Sequence, residues 1–283
     1  MSILKTILRA PFVWRAAARD RRLAPGAHYL SAVAIFREEA PFLDEWLTFH
    51  TYVGVDHFYL YNNFSTDDFR GVLQPWLDRG CVTLIDWPVE TGQLPAYRRC
   101  IREHAMRTRW MAFIDIDEFL FSPENDDVRQ VLRDYENSPG VVVYSPYFGA
   151  AGHQQRPPRP IAKALTRRAS LAKISAKTIA NPRWVYSIRN VHLFKYWRGE
   201  ACDTSGRKVN AAEPALDRLR LNHYWSRSLA DLHDKIARGD ASTPNKRDPV
   251  WHFEFETGLN DEEDRVILPV LERAFVADAH RSV

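Results

Sequence analysis

From residue 32 onward the hydrophobic pattern comes in short bursts separated by longer amphipathic stretches. Ala32-Val33-Ala34-Ile35-Phe36 is an uninterrupted apolar run, too short for a helix, and it predicts a parallel strand buried on both faces. Arg37-Glu38-Glu39-Ala40-Pro41 breaks the run. A helix follows, with Phe42, Trp46, Leu47 and Phe49 on its inner side and Gly54 past its end. His57–Tyr61 is the second strand, residues 62–67 a turn, and Phe69–Asp78 a helix closed by Gly80. Val82–Trp87 is the third strand, Pro95–Thr108 a helix and Trp110–Ile114 the fourth strand. Strands and helices in strict alternation predict an α/β fold with a mostly parallel central sheet flanked by helices, related to the Rossmann arrangement. Such sheets bind ligands beyond the carboxyl ends of their strands.

The second half is less regular. Val141–Tyr144 reads as a strand and Gly149–Pro160 as a loop, with helices expected over Ser228–Arg238 and Glu262–Phe275. The divisions expected are a basic extension over 1–26, a catalytic domain over 27–240 and a carboxy-terminal segment over 241–283 packed on that domain. In the extension, Lys5, Arg9, Arg15, Arg19, Arg21 and Arg22 face one acid, Asp20, and no apolar stretch reaches spanning length. It reads either as a basic amphipathic helix touching anionic lipid or as an ordinary extension. The corresponding location is cytoplasmic, peripheral on the inner face of the membrane.

The fourth strand runs into Asp115-Ile116-Asp117. Two acids one residue apart at a strand end can share one cation, and hard oxygen ligands suit Mg²⁺ or Mn²⁺ with phosphate oxygens in the remaining positions. The same pair could instead cap the following turn. Asn63 and Ser65 in the loop after strand two either brace that loop or support a nucleotide.

Charge sharpens this reading. The net charge is +3, too near neutral for a dedicated nucleic-acid binder. Residues 137–199 hold no Asp or Glu but many Lys and Arg, Lys177 and Arg183 among them, directly after an acidic stretch. That order suits a site joining a metal ion to a polyanion, with Lys177 and Arg183 as candidate cationic contacts; a solvated basic face is the plainer alternative. Cys81, Cys100 and Cys202 are too few and too far apart for a disulfide scaffold or a zinc cage, and fit a reducing compartment.

Ala34–Glu39, then Phe42-Leu43-Asp44-Glu45-Trp46-Leu47 and His50, resemble the opening of family 92 and bacterial family 2-like glycosyltransferases. The likeness continues collinearly through residues 54–67, Gln93, Tyr97, Cys100, 110–119, 147–153, Lys177, His192 and Leu221-Asn222-His223-Tyr224. Glu38 stands where that family has Asn, and Asn62 where it has Asp. The resemblance implies a GT-A fold, a nucleotide-sugar donor with UDP favoured (galactose among the sugars), inversion, and Mn²⁺ or Mg²⁺. It implies metal ligation by Asp115, Asp117 and His223. Donor contacts would come from Arg37, Glu39, Asn63, Ser65, Gln93, Tyr97, Asp115 and Lys177. The acceptor would be a glycan or glycolipid. Its hydroxyl needs a base, for which Asp264, Glu263 and His153 are the candidates. Trp184, Tyr186, Tyr196, Trp197, Tyr224, Trp225 and Trp251 are candidates to line a sugar cleft. Two other readings use the same sheet: a non-catalytic nucleotide-sugar or glycan binder, and a nucleotidyltransferase. The latter calls for a glycine-rich loop after strand one, where residues 37–41 contain no glycine.

Overall fold

A computed structural model describes residues 23–239 and 247–281; the basic segment up to Arg22 and the boundary at 240/241 lie outside the described residues. In chain order the elements are β1 (His28–Phe36), α1 (Ala40–Tyr52), β2 (His57–Asn62), α2 (Phe69–Asp78), β3 (Val82–Asp86), α3 (Gln93–His104), β4 (Thr108–Phe113), β5 (Glu118–Phe121) and α4 (Val128–Leu132). Then come β6 (Gly140–Phe148), β7 (Arg167–Arg168), β8 (Ile174–Ala180), β9 (Val185–Ile188), β10 (Phe194–Tyr196), β11 (Cys202–Asp203) and β12 (Arg220–Tyr224). The chain closes with α5 (Leu229–Arg238), α6 (Pro249–Thr257), β13 (Glu262–Glu263) and α7 (Leu268–Arg281).

The strand order is β13-β7-β6-β8-β4-β1-β2-β3. The β4-β1-β2-β3 half is parallel, as the alternating pattern predicts. Strand β8 runs antiparallel between β4 and β6, making the whole a mixed, largely parallel sheet. β1 is covered on both faces. Leu30, Ala32, Ala34 and Phe36 join the core beneath α1, α2 and α7, while Val33 and Ile35 join a second core with α3 and the β9–β10 hairpin. That double burial is why the run lacks polar positions.

Two expectations shift at their edges. The helix read as 95–108 spans Gln93–His104. The helix expected from Glu262 starts at Leu268, and Glu262 and Glu263 instead pair antiparallel with Arg168 and Arg167. The Arg168–Glu262 ion pair at 2.7 Å holds that short strand, and Pro269 suits the first turn of the later helix. Helix α6 and strands β8 and β12 were not evident from the pattern.

One feature of the fold positions the strand-four exit directly. Trp46 on α1 donates its indole N–H to the carbonyls of Asp115 (3.1 Å) and Glu118 (2.9 Å). One turn later, His50 Nε2 accepts the backbone N–H of Leu120 at 3.1 Å, so its Nδ1 carries the proton and donates to Trp46 O at 2.8 Å. Complete burial pushes the His50 pKa down to about 3, so the ring stays neutral. Helix α1 thus grips the backbone of the acidic turn at three atoms. Trp46→Phe keeps most of the apolar volume but removes the indole donor from both carbonyls, leaving Asp115 O only the Glu118 N–H at 3.0 Å. We expect a loss of about 1–3 kcal/mol in urea unfolding, and an unchanged midpoint would mean the indole N–H contributes nothing.

Candidate functional site

A cavity of about 260 Å³ opens beyond the carboxyl ends of β1 and β4. Its floor is Asp115-Ile116-Asp117-Glu118. Its walls come from the β1 exit (Arg37, Glu39), α3 (Gln93), β6 (Tyr147), β8 (Lys177), β12 (His223) and α5 (Lys235, Arg238). The topology explains the convergence. β12 pairs with both β5 and β6, setting His223 opposite Glu118 and Tyr147. Ser228, whose side chain caps the Asp231 N–H at 3.1 Å, starts α5 so that its later turns face the cavity.

The floor and walls are matched in charge. Lys177 Nζ sits 2.6 Å from Asp115 Oδ2 and 3.5 Å from Glu118 Oε2. Lys235 Nζ sits 2.7 Å from Asp117 Oδ2, donates to Trp225 O at 2.9 Å and lies over the Trp225 ring at 4.1 Å. Glu39 takes Arg227 at 2.6 Å and also pairs with Arg238. Four carboxylates (Glu39, Asp115, Asp117, Glu118) therefore meet four cations from distant chain positions.

These contacts set the protonation states. Burial works against the Lys177 charge, but Asp115 and Glu118 outweigh it and hold its pKa well above the ordinary lysine value. Lys235 has one carboxylate partner, and burial lowers its pKa despite Asp117. Burial also opposes ionisation of Asp117, yet Lys235 and His223 hold it well below the usual carboxylate range. For Glu118 burial wins over the pull of Lys177 and raises the pKa to about 7.

The expected residues divide clearly. Arg37, Glu39, Gln93, Asp115, Asp117, Lys177 and His223 line the cavity together. Tyr97 stands behind it, its hydroxyl 3.2 Å from Gln93 Nε2 and 3.4 Å from Asp115 Oδ1, while Gln93 donates to the same Oδ1 at 2.9 Å. Asn63 and Ser65 do not line it. Asn63 donates to the carbonyls of Trp87 and Val89, and Ser65 accepts the Glu38 N–H, so both brace the loop. Arg183 is buried against Asn181, also away from the cavity. Among the aromatic candidates, Trp225 lines the cavity, whereas Trp184 and Tyr224 are buried in the interior.

The three candidate bases are also elsewhere. Asp264 is bound by Arg220 (2.7 Å) and Arg168 (2.9 Å); burial would raise its pKa, but Arg220 and Arg168 hold it below the usual range. It is a structural counter-ion that ties β12 to β7. Exposed Glu263 pairs with Arg265 at 2.7 Å, and His153 sits in a turn whose carbonyl accepts the Leu229 N–H. None of the three lines the cavity.

The donor set also bears on the expected metal site. Among the described residues no three His, Cys, Asp or Glu side chains are grouped to hold an ion. Asp115 is committed to Lys177 and Gln93. Asp117 Oδ2 and His223 Nε2 lie 3.4 Å apart on the cavity wall, an oxygen and an imidazole nitrogen of the type Mn²⁺ accepts. That pair fits a divalent cation if Lys235 leaves the shared oxygen; Asp115 is held by Lys177 and Gln93 and is not grouped with them.

Lys235 and Arg238 were missed as site residues by sequence reasoning. A signal existed: they stand three apart in a helix the pattern predicts, so they share one face. Nothing local said that this face meets Asp117 and Glu39.

A strand-end cavity with an acidic floor and cationic walls is the kind of site an α/β sheet offers a phosphorylated ligand. The family model of glycosyltransferase family 92 matches residues 32–255, and the chain belongs to that family. A family 92 protein of Oryza sativa subsp. japonica is 29% identical over 177 residues, covering 59% of this chain and 30% of that protein. A galactan β-1,4-galactosyltransferase of Arabidopsis thaliana is 29% identical over 102 residues, covering 32% of this chain and 20% of its own length. The chain spans about a third of the length of the Oryza sativa and Ricinus communis family 92 proteins it matches. Among solved structures, S. aureus TarS in complex with UDP aligns at 10% identity and a TM-score of 0.38, covering 54% of this chain and 47% of the other. A mannosyltransferase from Pyrobaculum calidifontis, in complex with GDP-Man and Mn²⁺, aligns at 16% identity and 0.34, covering 48% and 42%.

The raised Glu118 pKa has a measurable consequence. The folded chain keeps this proton up to about pH 7, whereas the unfolded chain releases it near the ordinary glutamate value. Glu118 therefore adds a contribution that is full below that ordinary value and fades as pH rises through about 7, up to about 3 kcal/mol in all. In Glu118→Gln, stability from chemical unfolding should fall less steeply with pH across this window. A slope identical to wild type would show that Glu118 does not titrate there.

Proposed function

We propose that this chain is a glycosyltransferase domain that takes a nucleotide-sugar donor, UDP-linked, into the strand-end cavity and passes the sugar to a glycan or glycolipid acceptor. The observation that carries this is the Asp115–Glu118 turn beneath a cationic cavity, inside the segment that matches family 92. The name of the Arabidopsis relative supports galactose as the sugar and a galactan-like acceptor.

In the reaction the bond between the anomeric carbon and the diphosphate oxygen breaks, its electron pair leaving with the nucleotide. An acceptor hydroxyl oxygen bonds to the same carbon and gives up its proton to water. The protein must stabilise the departing diphosphate, and Arg37 and Lys177 line the cavity with the necessary charge. Lys177 is held in place by Asp115 and Glu118, so its ammonium is pre-oriented before the donor arrives. Gln93 and Tyr97 hold the other Asp115 oxygen, leaving that carboxylate as a rigid donor contact. Asp117 and His223 would hold the divalent cation, which supplies further positive charge at the leaving group. Lys235 is the cation that gives way, because burial already disfavours its charge and it has a single carboxylate partner.

Titration calorimetry of UDP with and without MnCl₂ tests this reading. Wild type should bind more tightly with Mn²⁺. Asp117→Asn and His223→Ala should each lose at least about tenfold in affinity with Mn²⁺ and much less without it. Absence of UDP binding by wild type removes the donor assignment, and equal losses in both conditions remove the two residues from metal ligation.

A further inference from the structure

The cavity continues outward into a cluster of aromatic side chains. Trp225 lines the cavity, and its ring contacts Trp251 at 6.4 Å and Phe255 at 5.2 Å between centroids. Tyr147, which also lines the cavity, meets Phe255 at 5.3 Å. Trp251 and Phe255 are one turn apart on α6 and stack face to face, 5.0 Å apart at 12°. Phe255 thus covers one face of the Trp251 indole, yet 49% of Trp251 is exposed to water. Its neighbour Val250 is 65% exposed, which leaves an apolar ledge at the start of α6.

We propose that Trp251 is a stacking subsite for the acceptor glycan, outside the cavity and in line with it; the assignment rests on the glycosyltransferase reading above. The chemistry favours a carbohydrate occupant. A pyranose presents a patch of C–H groups that an indole face covers, while its hydroxyls stay in water, so a half-exposed ring supported from behind suits it. Continuity argues the same way: the ring contacts run unbroken from Trp251 through Trp225 to the cavity wall. A sugar on Trp251 would belong to the same chain as the residue receiving the transferred sugar. The inner aromatic rings serve differently. Trp225 has Lys235 over its ring and His252 stacked on it at 5.7 Å, so it anchors the ledge.

The experiment uses the full chain with UDP and MnCl₂ on a printed array of oligosaccharides that includes β-1,4-galactans, beside UDP calorimetry on each protein. Wild type should retain at least one oligosaccharide. Trp251→Ala should weaken that binding about tenfold, and Trp251→Phe should keep most of it. UDP affinity should be equal in all three proteins, because Trp251 does not line the cavity. Unchanged glycan binding by Trp251→Ala, or no glycan bound by a wild type that does bind UDP, overturns the subsite. A wild type that binds no UDP overturns the donor reading instead.

Discussion

Buried carboxylates must be compensated, and this requirement organises the site. In the turn at the end of β4, Asp117 and Glu118 are buried and Asp115 beside them is 29% exposed on the cavity floor. Removing one partner from such a cluster costs more than the pair gains in water, because the remaining charge stays buried. The compensation comes from afar: Lys177 is on β8 and Lys235 on α5, 118 positions from Asp117. Glu39 at the β1 exit and Arg227 and Arg238 near α5 form a second tie of the same kind. These links draw the irregular second half of the chain over the sheet and give the cavity its cationic walls.

The backbone beneath the charges is held separately. Trp46 and His50 bind the turn through main-chain atoms, so its side chains are free to face the cavity. A neutral, buried His50 keeps that grip whatever the site binds. With the backbone held in this way, the departure of Lys235 from Asp117 that we propose would not loosen the turn.

The first four strands were legible because local pattern decides them: a strand covered on both faces must be apolar, and the intervening helices show one apolar side. The Asp115–Asp117 pair and His223 were legible as one site through their resemblance to a family, and the fold does bring them to one cavity. Strands β8 and β12 were not legible. Both carry polar residues that are buried only because partners elsewhere satisfy them, as Asp264 satisfies Arg220 and Asp115 satisfies Lys177. A pattern read along the chain registers such residues as exposed. The same blindness made Asp264 look like a reactive acid, when two arginines hold it as a counter-ion. For Asn63 and Ser65, which could brace their loop or support a nucleotide, the hydrogen bonds are those of the bracing role, and neither residue lines the cavity.

Strand β12 enters the sheet between β5 and β6, although almost a hundred residues separate it from β5. The cavity therefore depends on a non-local pairing: without β12 beside β5 and β6, neither His223 nor the helix α5 that follows it reaches the acidic turn. A substitution along that short strand would be felt at the ligand-facing wall as well as in the core.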